Sequence, residues 1–465
     1  MVLVLFLVAS VLTLVSYLTL KYVHGVQDAP YMDEIFHIPQ AQQYCSYNFS
    51  SWDPMITTLP GLYVFSVIQL LPVASFRGAR LAELCTTFNL RASNVTYCIG
   101  NFILLFVLTR QLTGNAKRTH LLQVLNAAVL TLFPVLYFFT WLYYTDPGAT
   151  FFVLLMYALC LRGYHKSAAM AGAAAVLFRQ TNIIWVLFCT GVVAIEVINE
   201  RLRLDKKWHG NPNNMSDKDF VEILFQTTFS SCARFFSLVK QILIQTFCYL
   251  CIIVGFIVFL VVNKGIVVGD RSHHTASYNF PQVFYFLAVS AGFSFMHLSQ
   301  PSQVIAFVKS AVKNPIKILL FAVLAGLLIK LFTCEHKYLL SDNRHYTFYV
   351  WSKIFKRHQL ARYALIPVYF FSLYQFYNLT SHRGFLWRVV FSVCTIACLV
   401  PQALLEFRYY IVPFYILRLN MKLPTAKMLI AELFLYVFIN SFTVYMFTQK
   451  PFVWPEDPSP QRFMW

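Results

Sequence analysis

Apolar runs of helical length alternate with short polar connections along almost the whole chain. Residues 2–20 (VLVLFLVASVLTLVSYLTL) form an unbroken run, and others fall near 97–110, 120–142, 148–161, 167–178, 182–195, 241–262, 283–298, 317–333, 361–377, 387–405 and 426–447. About 20 apolar residues carry an α-helix across a bilayer core of roughly 30 Å, and in lipid the backbone must satisfy its own hydrogen bonds. The pattern predicts an all-α polytopic membrane protein with about twelve transmembrane helices, within the range of about ten to fourteen that the length allows. The first run lacks the basic start and small-residue cleavage site of a signal peptide, so it is read as an uncleaved span. The short runs 167–178 and 182–195 form either two helices or one long helix interrupted by Arg179-Gln180-Thr181-Asn182. Only 21–96 and 198–240 are long polar interruptions. With no internal repeat and no low-complexity linker, residues 1–465 are expected to form one membrane-embedded domain.

Composition agrees with this reading and sharpens it. Hydrophobic residues make up 58% of the chain and charged residues 12%, with a mean hydropathy of +0.60. Soluble domains carry roughly a quarter charged residues, so a soluble surface is excluded, together with disordered and small disulfide-rich classes. A net charge of +18 would raise nucleic acid as a partner of a soluble protein. Here the basic residues lie scattered between apolar runs, as expected for cytoplasmic loops against anionic headgroups, and no nucleic-acid partner is expected. Arg201, Arg203, Lys206, Lys207, Lys218, Arg234 and Lys240 put 198–240 in the cytoplasm by the positive-inside rule, and alternation puts 21–96 on the opposite side. Lys21 and the group Lys353, Lys356, Arg357 and Arg362 run against that rule, which points to an interfacial segment or a miscounted span. Among the 11 cysteines, Cys160, Cys189, Cys248, Cys251, Cys394 and Cys398 read as small buried hydrophobes. Cys45 and Cys85 are able to pair if they face an oxidising lumen. The glycosylation sequons at Asn48 and Asn94 lie on the proposed lumenal side, and those at Asn214 and Asn378 on the cytoplasmic side.

The same alternation gathers unusual charged groups on the face of the first loop: Asp33-Glu34, Asp146, Arg179, Asp270-Arg271, Asp342-Asn343-Arg344 and Glu406-Phe407-Arg408. Charge at a membrane edge is costly unless paired or wetted, so it marks function by default. For a single pair, an interfacial ion pair is the simpler explanation; the convergence of several favours a shared cavity. Asp205, Asp217 and Asp219 sit among Lys and Asn in a polar loop and read as a solvated surface. Asp33 and Glu34 precede an amphipathic stretch, where either suits a helix N-terminus or a general base. His37 lies one helical turn further on. His273, His274, His336 and His345 lie on this face too, but no spacing matches a zinc site, and the face carries no Asp-x-Asp pair and no glycine-rich phosphate loop. No metal and no cofactor are expected, and a phosphate on this face would be met by Arg side chains.

The strings YMDEIFHIPQAQQYC (31–45), WDPMITTLPGLY (52–63), FRQTNIIW (178–185), GDRSHHTASYNFPQ (269–282), HKYLLSDNRHYTFYVW (336–351) and EFRYYIVPFYILRL (406–419) closely resemble the endoplasmic reticulum α-1,2-glucosyltransferase family that completes the lipid-linked oligosaccharide. The resemblance spans most of the chain and is weak in 198–240 and the last twenty or so residues. It implies a C-type glycosyltransferase fold in the endoplasmic reticulum membrane, with a lumenal active site and catalytic carboxylates in the first lumenal loop. The implied donor is dolichyl phosphate β-glucose. The implied acceptor is the diglucosylated, nine-mannose oligosaccharide on dolichyl diphosphate. An α-linkage made from a β-donor requires inversion, which assigns Asp33 as base with Glu34 as the second candidate. His37, Asp146, Arg179, Asp270, Arg271, Asp342, Arg344, Glu406 and Arg408 are the candidates for binding donor phosphate or sugar, with Arg344 foremost for the phosphate. Trp52, Tyr346 and Trp351 are candidate stacking surfaces. The alternatives from other classes are a multispanning transporter, which would show repeated halves and a midplane site, and a channel-associated subunit. Within the enzyme class it is a mannosyltransferase using a related donor.

Overall fold

The computed structural model describes residues 2–114, 119–204, 217–229, 231–271 and 276–465. Among these, six helices are long and apolar enough to cross a membrane: Val2–Val26, Thr87–Thr113, Gln180–Arg203, Cys232–Asn263, Pro315–Phe332 and Ala426–Gln449. A seventh arises if His120–Thr131 and Pro134–Trp141 count as one span, bent by 58°. Shorter apolar helices cover Gly61–Arg77, Thr145–Cys160, Pro281–Phe293 and Phe385–Leu399. The chain is thus an all-α multi-pass membrane protein, apart from a hairpin of Phe452–Trp454 with Asp457–Gln461 near its C-terminal end.

Several local outcomes refine or correct the pattern-based expectation. Residues 120–142 are not one straight span, because Pro134 lacks an N–H and its ring clashes with the preceding turn. Of the two readings of 167–195, the two-helix one is found, with Arg179–Asn182 between His165–Phe178 and Ile183–Leu204. The 198–240 segment is largely helical in its described part: one helix runs to Leu204, Asp217–Phe229 is helical, and the next helix starts at Cys232. Asp217 is not merely solvated, since it accepts hydrogen bonds from Arg388 Nη2 at 2.5 Å and from the Tyr377 hydroxyl at 2.6 Å. Asp205, Lys206 and Lys207 lie outside the described residues. Cys251 is exposed, because Cys232–Asn263 turns much of its surface outward.

The core forms where Thr87–Thr113, His120–Thr131, Thr145–Cys160 and His165–Phe178 pack together, with Phe102, Leu105, Ala127, Leu130, Met156 and Ala175 fully buried. The first loop is docked on this core. At Gly61, a Cβ would lie 2.6 Å from the backbone of Leu177, so only glycine lets Gly61–Arg77 abut the end of His165–Phe178. The Cys45–Cys85 disulfide closes the loop on itself.

The deepest anchor is ionic. Arg91, four residues into Thr87–Thr113, and Glu34, at the start of Glu34–Cys45, are both fully buried. Arg91 Nε and Nη2 donate to the two Glu34 oxygens at 2.9 and 2.6 Å. The remaining Arg91 hydrogens go to the carbonyls of Gln27 at 2.5 Å and Ala29 at 3.0 Å and to His24 Nδ1 at 3.2 Å. Glu34 also accepts the backbone N–H of Tyr31 at 3.0 Å and of Tyr143 at 2.6 Å. A fully hydrogen-bonded buried pair tolerates desolvation, whereas a single unpaired member does not. Glu34→Gln should therefore destabilise the protein by about 3–5 kcal/mol, read as a lowered detergent melting temperature or poor recovery of folded protein. An unchanged melt would contradict this role.

Candidate active site

A cavity of about 530 Å³ opens where six separate stretches of chain meet. Asp33 and His37 come from the first loop, Tyr144 and Arg179 from the core helices, and Asp270 from the segment after Cys232–Asn263. Asp342, Arg344 and His345 come from the loop before Tyr346–Val350, and Glu406, Arg408 and Tyr409 from the turn before Ile411–Leu419.

Asp33 owes its direction to its neighbours. Met32 takes a left-handed φ of 56°, a costly conformation for a side chain of this size. It lets Glu34 turn into the core while Asp33 faces the cavity, its side chain 45% exposed. The Asp33 N–H donates to the Tyr144 hydroxyl at 3.2 Å, and a carboxylate oxygen meets Arg408 Nη1 at 3.4 Å. Burial pushes the Asp33 carboxyl up, but the positive charge of Arg408 beside it outweighs that and holds the group below its ordinary value. Asp33 is therefore ionised at neutral pH.

Arg408 sits at the centre. It contacts Glu406 at 3.0 Å, Asp33 at 3.4 Å and Asp146 at 3.8 Å, and its guanidinium lies over the rings of Phe139 and Tyr144 at 5.4 and 5.5 Å. Burial opposes its charge, yet the three carboxylates hold its proton more firmly than usual. Asp146, in the first turn of Thr145–Cys160, is paired with Arg179 through one oxygen. Its other oxygen is buried without a hydrogen bond among the described residues and faces Arg408. Arg179 also lies over the Tyr409 ring at 5.9 Å.

On the opposite wall, Arg344 grips Asp342 with Nε at 2.9 Å and Nη2 at 2.8 Å, and Nη1 donates to Gln461 at 3.2 Å. Burial raises the Asp342 carboxyl, but the bonds from Arg344 and the charge of His345 win and lower it. His37 is buried beside Asp33 with Nδ1 2.6 Å from the Tyr63 hydroxyl. Burial lowers its pKa, outweighing the pull of Asp33, so the ring is neutral.

Asp270 reaches the cavity because its segment lies along the first loop. Its N–H donates to the Pro54 carbonyl at 2.9 Å, and the N–H of Val268 to the Thr57 carbonyl at 3.3 Å. A Cβ at Gly269 would lie 2.2 Å from the Ile56 carbonyl oxygen, so the approach requires glycine. Arg271 does not join the site. It is exposed and bonds back to the Asn263 carbonyl at 2.5 Å and the Asn263 side chain at 3.1 Å, at the end of its preceding helix. Glu34 does not reach the cavity either, being spent on Arg91. Trp52 packs on Tyr63, and Trp351 and Tyr346 pack on Phe355 and Trp465; the aromatic cavity wall is Phe36, Tyr144, Tyr338 and Tyr409 instead. Tyr144 went unnoticed because it ends an apolar run, and Arg91 because it precedes one. Among the described residues no three His, Cys, Asp or Glu side chains gather as a metal-holding group. His273 and His274 lie outside the described residues.

The arrangement is one accessible carboxylate beside a mostly buried arginine, with further acid–arginine pairs around a sugar-sized space. Such a set suits proton removal from a hydroxyl next to a stabilised anion. Comparison with known proteins agrees with the resemblance carried by the first-loop and 406–419 strings. Over 444 residues the chain is 42% identical to the Dol-P-Glc:Glc(2)Man(9)GlcNAc(2)-PP-Dol alpha-1,2-glucosyltransferase of Rattus norvegicus, covering 94% of this chain and 93% of the relative. The protein of the same name from Homo sapiens is 42% identical over 443 residues, with coverage of 94% and 93%. That from Arabidopsis thaliana is 34% identical over 497 residues, with coverage of 95% and 96%. Residues 27–419 match the DIE2/ALG10 family model, and the chain belongs to that family.

Proposed function

We infer that this protein is an inverting glucosyltransferase that moves glucose from dolichyl phosphate β-glucose to the Glc(2)Man(9)GlcNAc(2) oligosaccharide on dolichyl diphosphate, in α-1,2 linkage. The observation that carries the reading is the Asp33 carboxylate, open to the cavity and 3.4 Å from Arg408 Nη1, in a chain whose relatives bear that enzyme's name. Asp33 takes the proton from the acceptor 2-hydroxyl as its oxygen attacks the anomeric carbon. The leaving group is a phosphate monoester, which needs charge stabilisation more than protonation. Arg408 supports this role better than Arg344. The Nη1 of Arg408 makes only long contacts, at 3.4 and 3.8 Å, whereas all three Arg344 nitrogens are engaged. A phosphate drawing on Arg408 would release part of the charge that holds Asp33 down, making Asp33 a better base when donor is bound. Asp146, Glu406 and Arg179 hold Arg408 and its surroundings, and Asp270, Asp342 and His37 line the space for sugar hydroxyls.

We place the cavity in the lumen of the endoplasmic reticulum, within a C-type fold of about twelve crossings to which the shorter apolar helices contribute. The Cys45–Cys85 disulfide belongs to the loop that bears Asp33, and disulfides persist in oxidising compartments. Asn48 is exposed in that loop, while Asn94 is buried with its amide donating to the Leu142 and Tyr144 carbonyls at 2.6 and 2.9 Å. Asn378 is exposed at the end of Ile366–Leu379, and Asn214 lies outside the described residues. Glycan mapping should find Asn48 modified, with Asn94 and Asn378 bare; a glycan on Asn378 would contradict the orientation.

The direct assay supplies purified protein with dolichyl phosphate glucose and the diglucosylated acceptor, and reads one added hexose by mass. Asp33→Asn should lower turnover by about 10²- to 10⁴-fold with an unchanged melting temperature; near-normal turnover would refute Asp33 as base. Arg408→Ala should cost about 10²-fold or more, with Arg408→Lys recovering only part because a lysine cannot hold Glu406, Asp33 and a phosphate together. Activity should survive EDTA and should not be supported by UDP-glucose alone. Loss on chelation would point to a metal-held diphosphate donor.

A further inference from the structure

The chain's last residues converge on the cavity from outside the motifs that define it. After Ala426–Gln449 the hairpin turns back, and Arg462 is almost fully buried. Its guanidinium donates to the carbonyls of Phe447 at 2.9 Å and Val26 at 3.1 Å and to the Gln27 side chain at 3.0 Å, so it ties together the ends of two long helices whose last carbonyls lack partners. Its backbone clasps one hydroxyl: Tyr31 donates to the Arg462 carbonyl and accepts the Arg462 N–H, both at 2.8 Å. Tyr31 is two residues before Asp33, at the root of the strained Met32 turn.

The same segment holds the opposite wall. The Met464 N–H donates to the Arg344 carbonyl at 2.9 Å, and the Tyr346 N–H to the Met464 carbonyl at 3.2 Å. Trp454 lies over the Arg344 guanidinium at 4.7 Å and donates Nε1–H to Asn343 at 2.7 Å. The main-chain oxygen of Trp465 lies 3.1 Å from His345 Nδ1. An oxygen there only accepts, so Nδ1 carries a hydrogen, while Nε2 lies 3.8 Å from the Asp342 carboxylate. The Trp465 ring packs on Tyr346 at 5.1 Å and on Phe407 at 5.4 Å, beside Arg408.

We propose that Phe452–Trp465 is a positioning strap that sets the Asp33 turn, the Arg344–His345 loop and the Arg408 turn in register for sugar transfer, with Tyr31 and Trp465 as its contact points. This rests on reading the cavity as the transfer site. None of the strap's residues touches a reacting atom in this account; they act through Asp33, His345 and Arg408. A displacement of about 1 Å in such a group costs on the order of 10²-fold in rate.

The test uses the full chain with Tyr31→Phe, which removes one hydroxyl, and Trp465→Ala, which removes one ring. Each should lower kcat about 10-fold or more while KM for the lipid donor stays within about twofold and the melting temperature falls only slightly. Tyr31→Phe should also move the acid limb of the kcat profile to higher pH. Arg408 holds the Asp33 carboxyl low, and loosening the turn weakens that hold, so the base is protonated at higher pH. Hydrogen exchange at the Tyr346 amide should accelerate in Trp465→Ala. Wild-type kcat in both variants, or a loss of kcat matched by global destabilisation with an unmoved pH limb, would overturn the proposal. If the wild-type protein transfers no glucose, the functional reading fails, and the exchange at Tyr346 still decides whether the strap holds the loop.

Discussion

Two adjacent carboxylates meet opposite fates here, and a buried arginine makes the difference. Removing a carboxylate from water costs several kcal/mol unless a partner and a full set of hydrogen bonds replace the solvent. Arg91 supplies both oxygens of Glu34 with donors, and two backbone N–H groups complete the shell. That cluster joins the first loop to Thr87–Thr113 and to the bend that carries Tyr143 and Tyr144. With Glu34 pinned and Met32 in the left-handed region, Asp33 has one direction left, towards the cavity. The rest of the site is arranged around where that carboxylate points.

Arg179, Arg344 and Arg408 face Asp33, Asp146, Asp342 and Glu406 in ion pairs that leave little positive charge uncommitted. An anionic donor must therefore compete with carboxylates for its arginine. We propose that the competition falls where the existing contacts are longest, at Arg408 Nη1. Placing the phosphate there couples two requirements of the reaction, since the charge that stabilises the leaving group is taken from the charge that suppresses the base.

Much of this was legible in the sequence. The acid–arginine strings at 342–344 and 406–408 showed themselves as charge beside apolar runs, where charge is expensive, and Asp146 and Arg179 stood out for the same reason. What stayed hidden depends on direction and on distant partners. Nothing local separates Asp33 from Glu34, because Arg91 decides between them from across the loop. Arg271 reads like Arg179 until its chain turns back to Asn263. The span at 120–142 is apolar throughout, so its bend at Pro134 is invisible to hydropathy. The last residues carry few charges and no motif, yet Arg462 and Trp465 reach the site walls through backbone bonds that no side-chain pattern encodes.

The central claim is that Asp33, not Glu34, meets the reacting hydroxyl beside an arginine-held phosphate. It is tested most directly by a structure of the protein with dolichyl phosphate glucose and an acceptor whose terminal glucose has been rendered unreactive. The account predicts the acceptor 2-position within about 3.5 Å of an Asp33 carboxylate oxygen, with the donor phosphate on Arg408 and Glu34 still enclosed by Arg91. A 2-position nearer any other carboxylate, or a phosphate seated away from Arg408, would contradict it.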